Sequence, residues 1–142
     1  MVYVVNNGDR HLNLEQLKYD INAWHRILEF IKQENLYLKN RFATVIQSKI
    51  DKSFLEEAES FQNNFINTDT VLLLFKNDIT KFEKQLSRSV KDDSKGKEIA
   101  AIQKQYGNDI EKLENEFLRL RASFNAFIDK FYTPGVTAWQ EK

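Results

Sequence analysis

His25 with Glu29, and His11 with Glu15, stand four residues apart, so on a helix each pair shares a face and can pair internally or clip a metal weakly. A surface histidine–glutamate pair is the plainer reading. The di-metal site that helical bundles carry needs Glu-x-x-His on two helices. Here Gly8 and Asn22 occupy the positions three before His11 and His25, so that ligand set fails and no metal is expected. The chain has no cysteine, which removes disulfides, thiolate metal sites and cysteine nucleophiles together. Glycines 8, 96, 107 and 135 are scattered singly, so there is no phosphate-cradling loop, and no serine sits in a nucleophile elbow. Glu56, Glu57 and Glu59 near a turn are paired carboxylates, but glutamates in a first helical turn are explained by the helix dipole. No catalytic residue, cofactor or enzymatic activity is expected.

Charge is balanced, with 21 basic and 21 acidic residues, so no overall field favours nucleic acid or an anionic membrane. Lys76, Lys81, Lys84, Arg88, Lys91, Lys95, Lys97 and Lys104 do cluster around one turn. Asp78, Glu83, Asp92, Asp93 and Glu98 are interleaved with them, which is the pattern of a solvated helix face. Nucleic acid is therefore not expected as a partner. Asp51, Glu56, Glu57, Glu59 and Asp69 make the opposite end acidic, giving a weak end-to-end dipole that would help protomers or partners align. The longest apolar run, 71–75, is far short of the roughly 20 residues that cross a bilayer, so no membrane partner is expected either.

The elements that would position these residues are long helices. Phe54, Ala58, Phe61, Phe65, Thr68, Leu72, Phe75, Ile79, Phe82 and Leu86 keep an unbroken three–four spacing, which only a helix near 3.5 residues per turn turns into one seam. Leu14, Leu17, Ile21, Trp24, Leu28, Ile31, Asn35, Leu38, Phe42 and Val45 do the same before it. Ile99, Tyr106, Ile110, Leu113, Phe117, Leu120, Phe124, Phe127 and Phe131 follow. Asn13 with Gln16, and Ser53 with Glu56, are capping-box candidates, with Asp51 a competing cap for the second and Leu12 with Leu17 a hydrophobic staple for the first. The charged stretch 91–97 makes the second turn, and Thr133-Pro134-Gly135 is expected to stop the third helix. The reading is all-α: one domain, an antiparallel up-down-up bundle of three long coiled-coil-like helices at about 13–49, 53–90 and 97–132, with short flexible tails 1–12 and 133–142. Val2 to Val5 could add a short strand, and Trp139 is a plausible anchor in the second tail.

Reflection about the turns sets residues into layers. Trp24, Ile79 and Tyr106 share one, and Asn35 falls against Asn67 and Thr68, with Phe117 completing the layer. The Asn35–Thr68 layer reads as a binding site within the bundle or as one buried polar layer that fixes register. Beyond the seams, Phe30 and Tyr37 lie seven apart on the first helix, as do Ile66 and Leu73 on the second, with Val71 and Leu74 nearby. Reflection sets the two stripes level, so they are expected to merge into one apolar patch. Such a patch marks an association site unless the protomer covers it, since three-helix cores bury more than two positions per heptad. Phe30, Tyr37, Ile66, Leu73 and Leu74 are the interface candidates. The partner expected is a second copy, as a homodimer, or a helix of another protein.

The segment Glu59-Ser60-Phe61-Gln62-Asn63-Asn64-Phe65-Ile66, with the Trp24 helix before it, resembles small uncharacterised bacterial helical-bundle proteins. That resemblance implies a bacterial, cytosolic, non-enzymatic protein and brings no ligand or activity with it. A cytoplasmic location is expected also because residues 2–5 are too short for the apolar core of an export signal. The function expected is a non-catalytic module for protein–protein interaction or self-association. A ligand- or metal-binding bundle is the alternative.

Overall fold

A computed structural model describes residues 13–48, 51–89 and 93–140, and the side chains among them except those of residues 89, 93 and 131–140. Three helices, α1 (Leu14–Gln47), α2 (Lys52–Ser89) and α3 (Gly96–Gln140), follow one another, with a single 3-10 turn at Asp93–Lys95 before α3. The protein is an all-α three-helix bundle, with no strand among the described residues.

Asn13 starts α1: its side-chain oxygen accepts from the backbone N–H of Gln16 at 3.0 Å, and its carbonyl accepts from Leu17 at 3.0 Å. The Gln16 side chain donates to Asp20 at 2.8 Å, a charge-assisted bond one turn along the helix. At the second helix the competing cap prevails. Asp51 accepts from the N–H of Ser53 at 3.0 Å and its carbonyl accepts from Leu55 at 3.0 Å, so α2 opens at Lys52 rather than at Ser53. A carboxylate at the cap also meets the positive end of the helix dipole, which a serine hydroxyl cannot match.

The third helix departs furthest from expectation. It passes Thr133-Pro134-Gly135 and continues to Gln140, although a stop near 132 and a tail from 133 were expected. Proline forfeits one N–H bond, but its fixed φ near −65° is itself helical, so the backbone can run through it. The staple residue Leu12 and the segment 1–12 lie outside the described residues, as do the side chains of Phe131 and Trp139.

The core runs the length of the bundle along the three seams. Leu17, Ile21, Trp24, Leu28, Ile31, Leu38, Phe42 and Val45 are buried on α1, and Phe54, Ala58, Phe65, Leu72, Ile79 and Phe82 on α2. On α3 the buried set is Ile99, Ile110, Leu113, Phe117, Phe124, Phe127 and, outside the expected seam, Ile128. Phe61, Phe75, Leu86, Tyr106 and Leu120 pack against this core but are only half-buried. Helix α1 packs closely on both neighbours, whereas α2 and α3 meet less extensively, so seam positions turned toward the α2–α3 side keep some exposure.

Candidate functional site

Along α1, polar pairs mark which flank faces which neighbour. Asp20 accepts from Gln103, Glu34 from Arg121 at 2.9 Å, and Asn125 from Arg41 at 2.8 Å, all across to α3. His25 Nε2 lies 2.8 Å from Glu83 Oε1, and Lys39 pairs with Asp69, both across to α2. The α1 residues of the first set, spaced 14 and 7 apart, lie on one side of the α1 seam and those of the second lie on the other side, as a helix buried between two partners requires.

These flanks decide where the apolar candidates fall. Phe30 and Tyr37 stand one turn before and after Glu34, and Tyr37 one turn before Arg41, so both belong to the α3 flank of α1. Leu73 stands one turn from both Asp69 and Lys76 and belongs to the α1 flank of α2, with Ile66 seven residues before it. Leu74 is four residues before Asp78, whose charge acts on Tyr106 of α3, and so faces the α3 side. The five candidates are all exposed, from 43% for Phe30 to 59% for Leu73, yet they do not form one patch. The expected merger of the two stripes fails because level was right and rotation was not: Phe30 and Leu73 share a height but lie on opposite flanks of α1.

Leu36, itself 48% exposed, lines the same α1/α2 groove as Leu73. Leu28 and Leu72 form the floor of this groove, which encloses about 640 Å³ and opens to solvent. Arg26, Lys32 and Lys76 stand at its edge and take part in no ion pair among the described residues, while Lys39 is held by Asp69. Leu36 escaped the sequence reading because no large apolar residue repeats it seven positions away: Glu29 and Ala43 occupy those places. Reflection sets it level with Ile66 and Asn67, which was the one signal available.

The polar layer is real but arranged differently from expectation. Asn35 is fully buried and its Nδ2 donates to the Phe65 carbonyl at 3.0 Å and to Asp69 Oδ1 at 2.8 Å. Thr68, also buried, donates to the Asn64 carbonyl one turn back at 2.9 Å. The two residues are level without bonding each other; Asp69 and Lys39 complete the network instead. Both partners of the Asn35 nitrogen are acceptors, which fixes the orientation of the amide and leaves its buried Oδ1 without a hydrogen-bond partner among the described residues.

The remaining chemical candidates disperse. Glu29 accepts from Gln33 at 2.7 Å, so the expected His25–Glu29 pairing gives way to His25–Glu83. His11 lies outside the described residues. Among the described residues no group of three or more histidines or carboxylates is placed to hold a metal ion. Glu57 meets Lys130 of α3 at 3.1 Å, while Glu56 and Glu59 are exposed. Near the second turn, Lys95 lies 3.9 Å from Glu98. Tyr106, tilted against Trp24 at 5.7 Å and Phe82 at 5.5 Å, has its phenol raised above its ordinary pKa by burial and then by the charges of Asp78 and Asp109. No described helix is long and apolar enough to cross a membrane. No protein-family model matches the chain, and neither the curated proteins nor the solved structures contain a match to it.

Proposed function

We propose that the protein is a non-catalytic helical module that works by association, first of all with itself. The observation that carries this reading is the set of large apolar side chains left exposed on long, rigid helices: Leu36, Ile66 and Leu73 on the α1/α2 face and Phe30 with Tyr37 on the α1/α3 flank. Apolar residues of this size, repeated along a helix face, gain most when another helix covers them. The bacterial and cytoplasmic setting implied by the resemblance belongs to the same proposal. A small-ligand role for the groove has less support, because its volume suits a ligand but it is open to solvent, and the histidine and carboxylates of its lining, His25, Glu29 and Asp69, are already held by neighbouring side chains.

Light scattering over a wide concentration range tests it. The wild type should exceed its 16.8 kDa monomer mass. Leu36→Glu with Leu73→Glu, and separately Phe30→Glu with Tyr37→Glu, should show which face is responsible by returning one variant to a monomer with unchanged helical circular dichroism. A wild type that stays monomeric throughout would sink self-association.

A further inference from the structure

Resting on that reading, we propose that the α1/α2 face is covered by a second copy of this chain, packed antiparallel about a twofold axis that crosses α2 beside Asp69 and Thr70. In such an isologous contact each position meets the one equally far on the other side of the axis. Ile66 and Leu73 are three to four residues either side of it and cover each other across the interface, with Leu36 beside them from α1.

The charges follow the same symmetry. Glu56 and Lys84 are each 14 residues from position 70, so each glutamate stands over the partner's lysine. Glu59 falls opposite Thr80, one turn from both Lys76 and Lys84. All four charged side chains are exposed, and none is in an ion pair among the described residues. Close to the axis, where like meets like, Lys39 and Asp69 already neutralise each other, and Lys32 at the groove edge is left facing its own copy. On α1 the level of position 70 falls near residue 33, so Arg26 is carried over Asn40, which adds no second cation. A parallel dimer on the same face would stack glutamates on glutamates and lysines on lysines, a juxtaposition that association avoids.

Two charge variants and one cross-link test the arrangement. Glu56→Lys with Glu59→Lys, and Lys76→Glu with Lys84→Glu, should each weaken the homodimer by about tenfold or more. Mixing the two variants should restore dimerisation, because only the heterodimer then places opposite charges at both ends. The chain has no cysteine of its own, so Asn63→Cys and Asn77→Cys, each seven residues from position 70, can be read without background. Combining the two single variants under mild oxidation should give the disulfide between positions 63 and 77. The same two positions within one chain are about 21 Å apart along α2, beyond disulfide reach. A dimer that forms only 63–63 and 77–77 links, or that mixing fails to restore, overturns the antiparallel packing and leaves self-association standing. A wild type monomeric at every concentration overturns both.

Discussion

The two ends of the bundle are built from different material. Beside the first turn the core is a stack of phenylalanines: Phe54 lies on Phe127 at 4.9 Å, Phe61 meets Phe127 at 4.9 Å and Phe124 at 5.4 Å, and Phe65 meets Phe124 edge-on at 5.2 Å. Beside the second turn Leu17, Ile21, Ile79, Ile99 and Ile110 fill the core, with one aromatic trio of Trp24, Tyr106 and Phe82. The Asn35–Asp69–Lys39 network separates the two. Rings packed edge to face gain energy beyond their buried area through a preferred geometry, whereas aliphatic layers accept volume-conserving exchanges at small loss. The polar layer sits where the rigid end hands over to the more permissive one, which is the place where a register device is most useful.

The sharpest way to break this comparison is to remove a ring. Phe65→Ala or Phe124→Ala should lower stability by about 3–5 kcal/mol in urea unfolding, because both are almost wholly buried. Phe61→Ala should lose clearly less, since Phe61 is only half-buried. Equal losses at all three would mean that the phenylalanine end is not ordered as described. A smaller effect sharpens the role of the boundary. Asn35→Leu removes a buried acceptor with no partner but also the two bonds that Nδ2 donates to the Phe65 carbonyl and Asp69, so stability should fall by about 1–2 kcal/mol. If the layer specifies register, heteronuclear NMR spectra of the variant should nevertheless broaden or double. A drop of several kcal/mol would instead make the network a source of stability.

The smallest effect belongs to the permissive end and appears only in alkali. Folding raises the Tyr106 pKa, chiefly by burial, so the native state favours the neutral phenol. That contribution is intact below about pH 10, the ordinary phenol value, and is lost as pH rises through the higher native one. Tyr106→Phe should therefore flatten the fall in stability above about pH 10 and delete the latest phase of tyrosinate absorbance. Unchanged titration would place the phenol in water rather than against Trp24.

Most of the fold could be read because its signals are local and one-dimensional. Three–four spacing located every helix, and reflection about the turns placed Trp24 beside Tyr106 and Asn35 level with Thr68. What escaped depends on competition or on rotation. Asp51 outbid Ser53 as a cap through its charge, and Pro134 failed to end α3 because its backbone angle suits the helix it was expected to stop. Phe30 and Leu73 were set at the correct height, but reflection carries no information about which flank of α1 a residue occupies. That was settled only by pairs such as Arg121–Glu34 and Lys39–Asp69, whose partners lie tens of residues away. For the same reason Leu36, without a repeat in its own helix, was invisible until α2 was set beside it.

The helix that packs closely on both of the others is also the one that precedes them in the chain. Only residues 48–51 separate α1 from α2, so closing the first hairpin costs little loop entropy, and α3 then completes a surface of which α1 already forms part. Few contacts join distant parts of the sequence before that last step. Topologies of this kind belong to the fast class of folders, microseconds to milliseconds.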